Sequence, residues 1–200
     1  MFPLGTVLVP HMVLPLHVFE PRYRALVRDV LDGGGEFGVV LITRGHEVGG
    51  GDQREDLGTV ARIVQTEELD DGRWVLLAVG DRRVAVERWL DDDPYPRAVV
   101  TDRDERHDHD EARSLHDELV PRVRRILELQ QRVGEPGVPP DVELAPEPDA
   151  LCWQTSIVTP LTPHDRQRLL ATDDCGQRLR LLGDLLVELE DVLTFRLAEG

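Results

Sequence analysis

Leu14-Pro15-Leu16-His17-Val18-Phe19-Glu20-Pro21-Arg22-Tyr23-Arg24 reads as a strand that passes directly into a helix. Met12–Leu16 and Val7–Val9 are short apolar runs separated by Pro10, which suits edge strands or a bend. Glu20-Pro21 marks the helix start, because proline at the first helical position has no intrahelical donor to lose. Tyr23, Leu26, Val27, Val30 and Leu31 follow at spacings of three and four and form one apolar face. Gly33-Gly34-Gly35 ends it. Phe19 and Tyr23, four apart across the helix start, are expected to anchor the helix to a sheet. Glu20 is expected to cap the first-turn amides, with Arg22 or Arg83 as its ion-pair partner.

Outward from this stretch, the first half of the chain reads as strands. Phe37–Thr43 is a continuous apolar run, and Arg44–Asp56 is a polar loop with Gly49-Gly50-Gly51 at its tip. Leu57–Glu67 and Trp74–Val79 form a hairpin about Asp70-Asp71-Gly72. Val84–Leu90 and Arg97–Thr101 add two strands. Such short strands around one helix predict a small twisted sheet or a partly closed barrel. The second half reads as helices. Leu115, Leu119, Val123, Ile126 and Leu127 recur at helical spacing, with Pro121 either kinking that helix or starting a new one. Gly134–Asp149 holds five prolines and reads as an extended linker. Thr162-Pro163-His164-Asp165 has the form of a capped helix start, and a longer helix runs from about Gly176 to Phe195. The fold class is therefore α+β, with a β-rich lobe over residues 1–105, a helical lobe over 106–200 and the proline-rich linker at 134–149. No internal repeat is visible.

Composition narrows the function. The formal net charge is −16, from 39 acidic and 23 basic residues, and this disfavours nucleic acid and anionic membrane surfaces as partners. Every basic residue is arginine, so no Schiff-base lysine, phosphate-loop lysine or Ser–Lys dyad can exist. The apolar N-terminus lacks a basic leader region and carries Pro3, Pro10 and Pro15, which argues against a signal peptide. No uncharged apolar run is long enough for a membrane helix, and the expected location is cytoplasmic. Cys152 and Cys175 form no CxxC pair and suggest neither a disulfide framework nor a thiolate zinc site.

Individual residues give little sign of catalysis. Ser114 and Ser156 are the only serines, and neither stands in a G-x-S-x-G elbow. Cys152 lies in an apolar helical segment, where a buried structural role is usual. Cys175 follows Asp173-Asp174, whose charges raise a thiol pKa. His107-Asp108-His109-Asp110, with His116 beyond, is the strongest metal candidate, set against a solvated loop leading into a helix. Arg122, Arg124 and Arg125 are flanked by Glu118 and Glu128 and read as a salt-bridged helix face.

Phe2-Pro3-Leu4 and the run from Leu14 to Arg24 resemble the N-terminal (substrate-binding) domain of Lon proteases. Phe37-Gly38-Val39-Val40, Leu57-Gly58-Thr59-Val60-Ala61, Asp71-Gly72-Arg73 and Val79-Gly80-Asp81-Arg82-Arg83-Val84 follow in the family's order. Arg166-Gln167-Arg168-Leu169-Leu170 and Arg178-Leu179 resemble its helical part. The resemblance implies a six-stranded β pseudo-barrel enclosing one helix, then a C-terminal helical bundle. It also implies recognition of proteins or peptides. The chain departs from the full protease in showing no ATPase or peptidase segment, and the expectation is a free-standing member of the family. The expected function is a non-catalytic protein- or peptide-binding module, with no cofactor or metal. Its partners are polypeptide substrates or a protein partner, and weak homo-oligomers are allowed. The expected site is a groove between lobes lined by His17, Glu20, Arg22, Tyr23, Arg82, Arg83 and Trp153. An amphipathic indole such as Trp153 suits a peptide-binding surface, and a core role is the competing assignment. Two alternatives stand beside this reading: a metal-dependent hydrolase using His107 and His109, and a structural oligomerisation module.

Overall fold

Helix α1 (Pro21–Asp32) begins at the proline expected to start it and buries Tyr23, Leu26 and Val27. The computed structural model describes residues 1–45, 51–104 and 109–199, with the side chains of His109 and Asp110 excepted. The chain divides into two compact units, Met1–Asp104 and Glu105–Gly200.

In the first unit, α1 lies on a sheet of strands β1 (Phe2–Leu4), β2 (Val13–Val18), β3 (Glu36–Arg44), β4 (Gln53–Glu68), β5 (Trp74–Leu90) and β6 (Arg97–Asp102). The pairing order is β1-β3-β4-β5-β2, with β6 also on β5, and β1–β3 is the parallel pair. Phe2, Leu4, Leu14, Val18, Phe37, Val39, Ala61, Trp74, Leu76 and Ala78 turn inward to meet the buried face of α1. Apolar burial of this kind contributes about 1.5–3 kcal/mol per large side chain, so this one core is the main support of the unit.

Three sequence expectations need correction. The sheet is not closed into a barrel: among the described residues β1 and β2 end the pairing path without pairing each other. Long β5 gives one edge to β4 and divides the other between β2, along Trp74–Val79, and β6, along Val84–Leu90. The two runs expected as separate strands are therefore one, continuous through Gly80-Asp81-Arg82-Arg83. Val7–Val9 is not a strand but a buried crossing segment, in which the Leu8 carbonyl accepts a hydrogen bond from the Thr59 hydroxyl at 2.6 Å. The Asp71-Gly72 hairpin turn forms as read, with Gly72 at φ 77° and Leu69 N–H donating to Arg73 O at 2.8 Å.

The second unit contains α2 (His109–Arg132), α3 (Pro148–Val158), α4 (Pro163–Ala171) and α5 (Cys175–Glu199). Helix α2 continues through Pro121, so no new helix starts there. Leu119, Val123, Ile126 and Leu127 of α2 are buried, as are Leu179, Leu182, Leu186 and Leu193 of α5. The proline-rich segment before α3 is tied down by Arg124, which donates to the carbonyls of Pro140 and Val142.

Candidate functional site

The two strands that end the pairing path, β1 and β2, border one cleft. Phe2 and Leu4 of β1 form one wall, Pro15–Val18 of β2 another, and Phe19, Glu20 and Tyr23 close its end. Its volume of about 190 Å³ is below the roughly 300–1,000 Å³ typical of small-molecule sites. A space of that size suits one amino-acid side chain better than a whole metabolite.

Its chemistry follows from the residues around it. Phe2 and Tyr23 stack with ring centroids 4.2 Å apart, and the Arg22 guanidinium lies 4.5 Å from the Tyr23 ring centre. These contacts contribute on the order of 1 kcal/mol each, which is enough to hold the rings in place. Burial pushes the Tyr23 phenol up to about 12, opposed by the nearby Arg22 charge, so it stays neutral and apolar in character at ordinary pH. Glu20 occupies the N-cap position of α1 but makes no side-chain cap; its carboxylate instead takes a 3.1 Å hydrogen bond from Arg22. Of the two arginines considered as its partner, Arg22 fills the role. The Glu20–Arg22 pair holds opposite charges together at the end of the cleft.

Phe19 departs from the expected anchoring role. It is 53% exposed and touches the edge of the His17 ring at a centroid distance of 6.5 Å. The reason lies in the helix register. An apolar residue just before the N-cap packs on the fourth helical residue, which here is Arg24, so Phe19 has no apolar staple partner. An aromatic side chain is thereby left in water at the rim of an aromatic-lined cleft.

The structure brings His17, Glu20 and Tyr23 together around this cleft, with Arg22 against them. It does not place the other expected residues there. Arg82, on β5, is engaged by Glu36, Asp81 and Asp102 at 3.0–3.1 Å. Its pKa is raised, first by the Glu36 hydrogen bond and then by the other two carboxylates, with desolvation opposing. Arg83 is 2% exposed and donates to Asp104 O at 3.4 Å. Trp153 is 1% exposed inside the helical unit, donates to Asp149 at 3.1 Å and lies under the Arg178 guanidinium at 4.3 Å. Arg178, itself fully buried, also pairs with Asp149 and donates to Thr172 O. The indole thus presents no open face, and the core assignment fits its surroundings.

Phe2, Leu4 and Phe19 join the cleft although the expected site omitted them. For Phe19 a sequence signal existed, since arginine at the fourth helical position leaves no staple partner. For Phe2 and Leu4 none did, because their place depends on pairing with distant β3. His107 and Asp108 lie outside the described residues, as do the side chains of His109 and Asp110. Among the described residues no group of three or more His, Cys, Asp or Glu side chains is arranged to hold a metal. No described helix is long and apolar enough to cross a membrane.

Comparison with known proteins places this geometry in a family. The Lon protease of Brevibacillus choshinensis is 28% identical over 194 residues, covering 94% of this chain but 24% of that protein. The LON peptidase N-terminal domain and RING finger protein of Schizosaccharomyces pombe is 23% identical, covering 96% of this chain and 45% of that one. The chain thus spans only a quarter to a half of the length of these relatives. Among solved structures, the Lon N-terminal domain protein from Xanthomonas campestris is 32% identical with a TM-score of 0.67, covering 90% of this chain and 94% of that one. The N-terminal domain of a Mycobacterium avium complex Lon protease, 22% identical and also at TM-score 0.67, shares the fold across 92% of this chain and 96% of its own. Residues 1–188 match the profile described as the ATP-dependent protease La (LON) substrate-binding domain, and the chain belongs to that family.

Proposed function

We propose that this chain is a non-catalytic module that binds polypeptide segments, with the cleft beside β2 and α1 receiving an apolar side chain. The observation that carries this reading is Phe19, 53% exposed at the rim of a cleft walled by Phe2, Leu4 and Tyr23. Aromatic residues make up only 4% of the sequence, and an exposed one beside a side-chain-sized cleft has the character of an interface anchor. The substrate-binding description of the family and the Lon proteases among the relatives support the same class of partner. Binding needs neither turnover nor a cofactor in this reading.

The test is a peptide array probed with the purified chain and with Phe19→Ser. The native chain is expected to retain a reproducible set of apolar-containing peptides, and the variant to lose signal on that set by about tenfold, as loss of an interface anchor does. Because Phe19 is exposed, thermal unfolding of the variant should match that of the native chain. An array with no peptide above background, or an unchanged set with Phe19→Ser, would overturn the proposal.

A further inference from the structure

We infer that a bound polypeptide is held mainly through its backbone, as an extended strand added to the open edge of β2. The inference rests on the polypeptide-binding reading above and specifies its mode.

Strand β2 pairs with β5 in a register that sets Leu14 opposite Ala78, Pro15 opposite Leu77, Leu16 opposite Leu76 and Val18 opposite Trp74. Pro15 has no N–H to give Leu77. The ladder bonds to β5 therefore run through Leu14, Leu16 and Val18, as the alternation of an antiparallel pair requires. Just before the strand, Gly80 N–H donates to Met12 O at 2.9 Å, in phase with this assignment. The backbone groups of Val13, Pro15 and His17 consequently face the edge that no described strand occupies. That edge offers two N–H donors and three carbonyl acceptors in a row. A row of alternating donors and acceptors at strand spacing is matched by another extended backbone, which identifies the occupant as a polypeptide.

The side chains agree with the backbone. Val13, Pro15 and His17 are the exposed residues of β2, with Val13 at 52% exposure, and Val75 at 45% lies opposite His17 on β5. An added strand would extend this face with cross-strand partners for its own β-branched or apolar residues. Residues of alternate parity would point toward the side where Leu16, Val18, Phe2 and Leu4 line the cleft. The charge of the chain selects among such segments: at −16 it attracts strands flanked by arginine or lysine and repels acidic ones.

The probe is a fluorescein-labelled peptide with an alternating valine–threonine core of about six residues, the usual strand length, between arginine pairs. Fluorescence anisotropy with the full chain should show saturable binding. Two further peptides carry N-methyl groups on alternate core residues, in opposite phases, so that each removes the donors along one edge only. One phase should weaken binding by about tenfold or more and the other should be tolerated. On the protein side, His17→Pro removes an outward N–H at an edge position that accepts proline, whereas His17→Ala keeps it. The proline variant should bind about tenfold more weakly than the alanine variant. Should His17→Pro unfold, the methylated peptides on the native chain still decide the matter. Binding that is indifferent to both methylation phases, or equal for the two variants, would overturn strand addition while leaving peptide recognition by side chains intact. No saturable binding by the unmethylated peptide also overturns it, and the array then judges the broader reading separately.

Discussion

A β-carbon added at Gly80 would stand 2.2 Å from the Val9 carbonyl oxygen, which is backbone that cannot swing aside. Gly58 is constrained the same way, with the Val39 carbonyl oxygen at 2.1 Å. Glycine is required at these two positions because the Val7–Val9 segment and the paired strand β3 approach the backbone too closely for a β-carbon. Gly80→Ala is expected to destabilise the first unit by about 1–3 kcal/mol, the usual cost of overpacking, read as a lower urea midpoint. An unchanged midpoint would mean that the Val7–Val9 crossing is not held there. Tyr23 gives a second residue-scale test. Its phenol ionises near 10 when free and is pushed up to about 12 here, chiefly by burial. Folding therefore favours the neutral phenol, and the stability this supplies is complete below pH 10 and lost as pH rises through 12. In a Tyr95→Phe background, which leaves Tyr23 as the remaining tyrosine, absorbance at alkaline pH should report ionisation well above pH 10, accompanied by unfolding. Titration near pH 10 without unfolding would contradict the buried, stacked ring.

Among the elements, the helices differ in how they begin, and the sequence reads some starts better than others. Helix α4 starts as its sequence says it should: the Thr162 hydroxyl accepts from Asp165 N–H at 3.2 Å and donates to the Asp165 carboxylate at 2.6 Å, with Pro163 first in the helix. Thr162→Ala should cost about 1 kcal/mol and speed amide hydrogen exchange in α4, while Thr162→Ser should restore both. Equal protection in the alanine variant would show that packing alone holds the helix. Helix α1 has its proline in the expected place, yet its Glu20 carboxylate turns to Arg22. Local spacing announces a cap, but it cannot say which of two donors the carboxylate takes when a guanidinium two residues away competes with backbone amides. Strands show the same limit. The hairpin at Gly72 is legible because a positive φ demands glycine, whereas Val7–Val9 has the composition of a strand and lies instead as a crossing beneath Thr59 and Gly80.

For the molecule as a whole, the α+β arrangement and the succession of strands before helices are written in the hydrophobic periodicities, and the Leu14–Arg24 run carries the family. What periodicity cannot carry is closure. Whether six strands meet in a ring depends on how β5 divides its edge between β2 and β6, a matter of long-range register rather than local pattern. The candidate site suffers from the same dependence. His17, Glu20, Arg22 and Tyr23 adjoin one cleft because they are near neighbours in sequence across one strand–helix junction. Arg82 and Trp153 stand far from that junction in the sequence, and local pattern does not show that Arg82 meets three carboxylates or that Trp153 is buried against Asp149 and Arg178. The open sheet has one more consequence, set by Pro15, which stands in one of the two strands that end its pairing path. Pro15, whose backbone faces outward, leaves a missing rung at an edge where copies of the chain would otherwise stack on one another. A single guest strand can accept a gap in its ladder, but an endless cross-β column repeats that gap at every layer. Proline in an edge strand thus works against the endless stacking that an open sheet edge invites.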